Sequence, residues 1–269
     1  MAAEPNERAT GVASYDWSQA GEEWSGPWGS SAAQWYGAIY PRIHECLPAG
    51  TILEIAPGFG RWTHYLKDLC ENMHLVDFSE ECINACRRRF GVQQRFSYHV
   101  NDGTSLAMIP DRSIDFIFSF DSLVHVDQPT LETYVSQFAA KLKPRGVGFI
   151  HHSNLGEYAV GRAEGLPRPV RKLLTNASLL PPHRGRAPDM TAERFRSYCD
   201  RYGLECLAQE AVNWRARQLT DCFSLLALRG DAPKQQLRFT RNPYFMREAE
   251  LIKRWAPNYN GIARPIASA

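Results

Sequence analysis

The stretch Thr51-Ile-Leu-Glu-Ile-Ala-Pro-Gly-Phe-Gly-Arg-Trp62 decides the fold of this chain. A short apolar run leads through Glu54 into a turn that contains Gly58 and Gly60, and a second apolar run ends at Asp77, 23 residues after Glu54. This order predicts a strand, a turn whose glycines let the backbone approach a ligand, a helix and a second strand. Because a carboxylate at the end of the second strand can accept both hydroxyls of a ribose, the pattern predicts an adenosine site.

The turn departs from the dinucleotide-binding pattern at its first position. Ala56 and Pro57 stand where a glycine would open that pattern. The turn that binds a pyrophosphate needs this glycine, so the sequence disfavours a dinucleotide as the ligand.

Further apolar runs continue the same alternation. Asn101-Asp-Gly103 follows a third run, and the runs Ser113–Asp121 and Val147–His152 predict strands four and five. In this order the motifs resemble those of class I S-adenosylmethionine-dependent methyltransferases, over residues 30 to 229. The resemblance implies S-adenosylmethionine as the cofactor, with Asp77 on the ribose, Phe78 on the adenine ring and Asp102 on the adenine amine. It assigns the cofactor to Glu54, Gly58, Gly60, Asp77, Phe78, Asn101 and Asp102.

Strand and helix patterns alternate along the rest of the chain, which predicts an α/β fold with a doubly wound, mostly parallel sheet of seven strands. We expect three regions: a mobile N-terminal arm at 1–29, a methyltransferase domain at 30–230 and a C-terminal extension at 231–269. The arm contains aromatic residues that could fold over the domain surface or over a bound substrate. The segment 155–190, rich in Pro and Arg, predicts a substrate lid, with a solvated surface loop as the alternative.

The composition excludes several classes of protein. The net charge is only +2, so a nucleic-acid partner has no electrostatic support. Seven scattered cysteines, an odd number, argue against a disulfide framework or a cysteine-rich zinc site. No apolar run predicts a signal peptide or a membrane span, so we expect a cytoplasmic, reduced protein whose oligomeric state stays open.

Polar groups gather after strands four and five, where a methyl acceptor would meet the cofactor. Asp121 and His125 follow strand four, and His151 and His152 end strand five. Side chains alternate along a strand, so only one of the paired histidines should face the cleft. Three interpretations remain open: a histidine base held by Asp121 or Asp127, a divalent metal bound by Asp121, His151 and His152, or purely structural roles.

Three runs resemble a narrower group. The runs Leu53–Thr63, Phe118–Val126 and Gly148–Asn154 are similar to actinobacterial sugar O-methyltransferases, including magnesium-assisted enzymes of methylmannose polysaccharide synthesis. This resemblance implies a sugar or oligosaccharide hydroxyl as the acceptor, and Mg²⁺ as a second cofactor.

Sugars are also bound by aromatic faces, which makes several aromatic residues candidates. They are Trp24, Trp28, Tyr158, Trp214, Tyr244 and Trp255. Two alternatives remain: a methyltransferase for a lipid, quinone or polyketide, and a non-catalytic protein that binds S-adenosylmethionine.

Overall fold

The chain forms one mixed eight-stranded sheet in the part described by the structure, a computed structural model that covers residues 16–158, 166–177, 185–214, 216–231 and 237–259. The strand order is β3-β2-β1-β4-β5-β7-β6-β8. The strands are β1 (Ala49–Ile55), β2 (Cys70–Asp77), β3 (Phe96–Val100), β4 (Ile114–Ser119), β5 (Leu142–Ser153), β6 (Leu204–Val212), β7 (Asp221–Leu228) and β8 (Arg238–Asn242).

The first five strands are parallel to one another, and β7 is antiparallel to both β5 and β6. The start of β7 therefore lies at the same edge of the sheet as the carboxyl ends of β4 and β5. In open α/β sheets ligands bind at this edge. The strand order thus places Asp221, the first residue of β7, beside the ends of β4 and β5.

Helices cover both faces of the sheet. They are α1 (Ser31–Gln34), α2 (Tyr40–Ile43), α3 (Thr63–Leu66), α4 (Glu80–Phe90), α5 (Gln128–Lys141), α6 (Arg168–Asn176), α7 (Ala192–Arg201) and α8 (Phe245–Trp255). A π-helical turn, Trp35–Ile39, joins α1 to α2, so that 31–46 forms one helical segment with the turn His44–Cys46. This segment, α4 and α8 pack on one face, while α5 and α7 pack on the other.

Side-chain caps fix where several helices begin. The Ser30 hydroxyl accepts a hydrogen bond from the Ala33 amide at 3.1 Å, and Thr191 accepts from Arg194 at 3.0 Å. Asp127 accepts from Thr130 at 3.0 Å and so caps α5. Each cap satisfies a backbone donor that has no partner within its helix.

The prediction of seven strands is wrong, because β8 adds an eighth strand at the edge of the sheet. Its sequence, Arg-Phe-Thr-Arg-Asn, lacks the apolar alternation that marks a strand, since its residues are exposed except for Asn242. It pairs in parallel with β6, and α8 buries Phe245 and Ala249 in the main core. The predicted C-terminal extension therefore contributes to the same sheet and the same core.

The two segments expected to be loosely attached are partly described. Residues 1–15 of the predicted arm and residues 159–165 and 178–184 of the predicted lid lie outside the described residues. The structure places α6 within the insertion but does not confirm a lid. Residues 16–29 pack on the domain surface, one of the two alternatives left open, and Trp28 is fully buried there.

Among the described residues, no helix is long and apolar enough to cross a membrane.

Candidate functional site

The turn after β1 is shaped by left-handed backbone. Gly58 and Gly60 have φ values of 57° and 82°, and the non-glycine Ala56 has φ of 56°. A Cβ on Gly60 would lie 2.4 Å from Cε2 of Phe90, so only glycine allows α4 to pack this closely. The loop therefore needs its glycines both for backbone conformation and for helix packing.

Two acidic side chains lie buried beside this loop. Asp77 Oδ2 accepts from the Gly58 amide at 3.2 Å, and Oδ1 accepts from the Ser79 amide at 2.9 Å. Burial raises the pKa of Asp77 to about 6. Glu54 accepts from the Thr63 hydroxyl at 2.5 Å, and burial, with the nearby Asp77 charge adding to it, raises its pKa to about 8. Shifted carboxyls of this kind are typical of functional sites.

The predicted adenine end is only partly free for a ligand. Asn101 donates to the Ser105 carbonyl and accepts from the Gly103 amide, so it holds the turn after β3. One oxygen of Asp102 accepts from Thr104 and Ser105, and these hydrogen bonds lower its pKa. Phe78 is 38% exposed, which leaves its ring available to a base.

An aromatic side chain of the N-terminal segment covers the glycine loop. The Trp17 ring stacks on Phe59 with centroids 4.5 Å apart and an interplanar angle of 3°. A Cβ on Gly58 would lie 3.1 Å from Cη2 of Trp17. Trp17 therefore lies against the part of the loop that would face a cofactor.

Asp121 begins the loop after β4 and is held from two sides. Its φ is 64°, and its amide donates to Nδ1 of His151 at 3.1 Å. Its carboxylate accepts from Arg61 Nη2 at 2.9 Å. Arg61 is nearly fully buried and also donates to the Ser25 hydroxyl at 3.1 Å. This ion pair joins the glycine loop to the end of β4.

His151 is part of a buried polar chain. Since Nδ1 accepts from a backbone amide, the proton lies on Nε2, which donates to Asp221 at 3.0 Å. Arg186 donates to both oxygens of the same carboxylate, at 2.7 and 2.8 Å. Burial acts to raise the pKa of Asp221, but Arg186 and His151 hold it well below its usual range.

His152 lies on the opposite face of the sheet, as strand alternation predicts. Its ring stacks on Phe195 of α7 at 4.2 Å, and Nε2 accepts from the Ser224 hydroxyl at 2.8 Å. Burial lowers the pKa of His152 to about 3. The structure thus separates His152 from Asp121 and His151, which contradicts the base and metal roles considered for it.

His125 is partly exposed in the loop after β4. Nδ1 lies 3.1 Å from the Gly185 carbonyl, which can only accept, so the proton is on Nδ1 and the basic lone pair on Nε2. Burial lowers the pKa of His125, and Arg186 lowers it further. The ring is therefore neutral near pH 7, as a proton acceptor must be.

The metal set proposed from the sequence is not assembled. Both nitrogens of His151 are engaged, Asp121 is paired with Arg61, and His152 lies across the sheet. In the described ranges no group of three or more His, Cys, Asp or Glu side chains is placed to hold a metal ion. These residues therefore do not fit a Mg²⁺ site.

The candidate sugar-binding aromatics divide into two sets. Trp214 lies 5.0 Å from His151 and 5.4 Å from Trp28. The Trp24 ring lies 5.2 Å from the Arg61 guanidinium. These three tryptophans therefore border the site. Tyr158, Tyr244 and Trp255 do not share these contacts: Tyr158 accepts from the Leu219 amide, and the other two are more than half exposed at α8.

Comparisons with known proteins show a family match over part of the chain and a fold shared with solved structures. Residues 52–146 match a family model described as a methyltransferase domain. A solved protein from Pyrococcus horikoshii is similar over 74% of this chain and 91% of its own, with 18% identity and a TM-score of 0.53.

Two S-adenosylmethionine-dependent methyltransferases have TM-scores of 0.50. The one from Methanosarcina mazei is 17% identical and covers 70% of this chain and 97% of its own. The one from Mesorhizobium loti is 16% identical and covers 70% and 96%. No curated protein matches the sequence.

Residues 52–146 thus resemble a methyltransferase domain, and the described sheet has the fold of two S-adenosylmethionine-dependent methyltransferases. S-adenosylmethionine is the cofactor that this domain implies, and the buried Asp77 at the end of β2 suits its ribose. The sequence did not predict three residues of the site, Arg61, Arg186 and Asp221. Arg61 was visible within the glycine motif, whereas nothing in the local sequence of Arg186 or Asp221 indicates that they pair.

Proposed function

We propose that the protein is an S-adenosylmethionine-dependent O-methyltransferase that acts on a sugar or oligosaccharide hydroxyl. The 1-hydroxyl of a methylated mannoside in polysaccharide synthesis is the narrower candidate suggested by the sequence. The observation that carries the proposal is the neutral His125, with its basic Nε2, in the same polar cluster as Asp121 at the end of β4.

The reaction requires little chemistry from the protein. When bound, S-adenosylmethionine supplies an electrophilic methyl group on a cationic sulfur. Asp77 and the glycine loop would hold it, and it would supply the methyl group that the acceptor oxygen receives, with the neutral sulfide as the leaving group. The chain has to orient the hydroxyl and take its proton, for which His125 Nε2 is the candidate.

The remaining polar groups position these parts. Arg61 and Asp121 neutralise each other next to the glycine loop, and Arg186 neutralises Asp221. His151 connects the two pairs, because it accepts from the Asp121 amide and donates to Asp221. A site with balanced internal charge suits a neutral hydroxyl acceptor better than an anionic one.

A methyl-transfer assay against methyl glycosides and oligosaccharides tests this function, with His125→Ala as the decisive variant. We expect its kcat to fall by roughly 100-fold or more, with unchanged affinity for S-adenosylmethionine. The acidic limb of the wild-type pH profile, below the usual histidine pKa of about 6.5, should disappear. His44→Ala, at a half-exposed histidine, is the control. A full rate in His125→Ala would remove His125 as the base.

Chelation addresses the magnesium expectation separately. Because the proposed ligands are engaged elsewhere, we expect exhaustive EDTA treatment to leave the transfer rate unchanged. A rate that collapses with EDTA and returns with Mg²⁺ would contradict the histidine-base mechanism.

One observation favours the second candidate, a methyltransferase for an apolar acceptor such as a lipid. Leu166, Val170 and Leu173, in and just before α6 of the insertion, are 38%, 41% and 68% exposed. An exposed apolar stripe of this kind can bind an apolar chain. Transfer to a lipid or quinone, with none to any sugar, would select this candidate.

A further inference from the structure

The N-terminal segment 17–25 lies against the glycine loop and is held there by side chains. Its backbone hydrogen bonds run within the segment, from Ala20 to the Trp17 carbonyl at 2.8 Å and from Trp24 to the Gly21 carbonyl at 3.3 Å. In the part of the chain that the structure describes, no backbone hydrogen bond joins this segment to the sheet or to α4. The segment can therefore leave the surface by breaking side-chain contacts alone, without disturbing the sheet.

The outer end of the segment contacts both the loop and α4. The Trp17 ring stacks on Phe59. The Phe59 carbonyl accepts from Arg89 of α4 at 3.1 Å, and Arg89 also pairs with Glu22 at 3.3 Å. Arg89 and Glu22 are 32% and 42% exposed, so water screens this ion pair and it contributes little. The stacked indole therefore provides most of the attachment at this end.

The inner end is anchored in the body of the domain. Ser25 and Trp28 are fully buried. The Ser25 hydroxyl accepts from Arg61 at 3.1 Å, and the Arg61 guanidinium lies 5.2 Å from the Trp24 ring. Trp28 packs against Trp214 with ring centroids 5.4 Å apart. The segment thus has a fixed inner end and an outer end that lies on the surface.

The backbone bends between these two ends at Ala20 and Gly21. Their φ values are 54° and 79°, both in the left-handed region. This conformation costs free energy in a residue that has a Cβ, such as Ala20, and persists where surrounding contacts hold it. Movement of the outer end away from the loop would release this strain. Ala20 and Gly21 are therefore placed as a hinge between Trp17 and the anchored Ser25.

Trp17 covers the point where the loop would meet a ligand. The Gly58 amide donates to Asp77 at 3.2 Å, and a Cβ on Gly58 would lie 3.1 Å from Cη2 of Trp17. Trp17 and Asp77 thus flank the same loop residue. Glycine at such a turn lets a ligand approach the backbone closely. A cofactor that is held by Asp77 and approaches Gly58 would therefore meet the indole.

We propose that residues 17–25 form a strap that opens at Ala20 and Gly21 to admit S-adenosylmethionine and closes on it through Trp17. The strap belongs to the cofactor site and does not depend on which acceptor is methylated. With the indole packed on the bound cofactor, water is excluded and the cofactor cannot leave until the strap opens. Opening therefore limits the release of the demethylated product, S-adenosylhomocysteine.

Trp17→Ala tests the strap, because it removes the ring that holds the outer end on the loop. Trp255→Ala, at an exposed tryptophan of α8, is the matched control. Surface plasmon resonance with S-adenosylhomocysteine gives the association and dissociation rate constants of each protein. We expect koff to rise at least about tenfold in Trp17→Ala, since the closed state loses a stacked aromatic contact. Trp255→Ala should keep the wild-type koff.

Hydrogen exchange of the wild type tests the same movement without a substitution. Saturating S-adenosylhomocysteine should slow the exchange of the backbone amides of 17–25 at least about fivefold, because the closed strap opens less often. The amides of β8, at the far edge of the sheet, should keep their rates.

Three results would overturn the strap. They are an unchanged koff in Trp17→Ala, a faster association with an unchanged koff, which would make Trp17 only an obstacle to entry, and unchanged hydrogen exchange at 17–25. If the wild type binds no S-adenosylhomocysteine, the strap and the cofactor assignment fail together. Failure to methylate any sugar would overturn the proposed acceptor and leave the strap standing.

Discussion

At the scale of single residues, strained backbone marks both sides of the cleft. Ala56 and Asp121 are non-glycine residues with left-handed φ values of 56° and 64°, at the carboxyl ends of β1 and β4. Such conformations cost about 1 to 3 kcal/mol each and persist where the surroundings fix them. At Asp121 the fixing groups are His151, on its amide, and Arg61, on its carboxylate. His151 therefore acts as a positioning residue for Asp121.

Asp77 gives the most direct test of the cofactor site. If its carboxylate accepts both ribose hydroxyls, Asp77→Ala removes two charge-assisted hydrogen bonds of about 1.5 to 3 kcal/mol each. The Kd for S-adenosylmethionine, measured by titration calorimetry, should rise at least roughly 100-fold. Asp68→Ala, at an exposed carboxylate paired with Lys67, should leave the Kd unchanged. Equal affinities in both variants would remove Asp77 from the ribose site.

The raised pKa of Asp77 predicts a pH dependence of cofactor binding. With its pKa at about 6, the buried carboxyl is mostly protonated below pH 6 and ionised above it. Ribose hydroxyls donate to the ionised carboxylate, so the affinity for S-adenosylmethionine should rise with pH as Asp77 ionises. Above about pH 6 the affinity should level off, because the carboxylate is then mostly ionised. Measurements of S-adenosylmethionine affinity from pH 5 to 7.5 should show this change in the wild type. If the same pH dependence persists in Asp77→Asn, it belongs to another group.

At the scale of elements, the glycine loop and α4 pack closely because Gly60 has no side chain. Gly60→Ala would place a Cβ 2.4 Å from Phe90, at a φ of 82°. Gly91→Ala, just after α4, has a similar φ of 76° but meets no atom within 4 Å. Backbone strain of about 1 to 2 kcal/mol applies to both, and overpacking adds about 1 to 3 kcal/mol for Gly60 alone. Urea unfolding should therefore show a clearly larger loss for Gly60→Ala, and equal losses would mean that Phe90 moves aside freely.

At the scale of the whole molecule, one buried ion pair ties the end of the insertion to the sheet. Arg186, from the insertion, pairs with Asp221 at the start of β7, and neither side chain is more than 6% exposed. Arg186→Met leaves the carboxylate without its counter-charge, which should cost about 3 to 5 kcal/mol in the free energy of unfolding. Arg241→Met breaks the exposed pair with Glu157, where we expect about 1 kcal/mol or less. Similar denaturation midpoints for the two variants would contradict this ranking.

The sequence predicts the strands that are buried on both faces and the edge strand β3, but it misses β8 at the other edge of the sheet. Strands β1, β2, β4 and β5 each contain a stretch of mostly buried residues, because helices cover both of their faces there. The edge strand β8 buries little, so its composition carries no such signal. Its place depends on hydrogen bonds to β6, which no local pattern encodes.

The candidate site shows the same limit. The acidic residues and glycines of the cofactor site lie at or just after the ends of strands. The local sequence therefore identifies them. The partners of His151 come from residues 30 and 70 positions away, and that pairing follows only from the strand order. The sequence also could not show that Asp121 is neutralised by Arg61, which is why the metal site was predicted.

The stacking of Trp17 on Phe59 has a practical consequence for studying this protein. An indole held against the glycine loop is an intrinsic optical probe, since its emission depends on the polarity and quenching groups around it. A ligand arriving under that ring would alter the signal of an unlabelled protein. The difference spectrum between the wild type and Trp17→Phe would then isolate this one fluorophore from the other tryptophans.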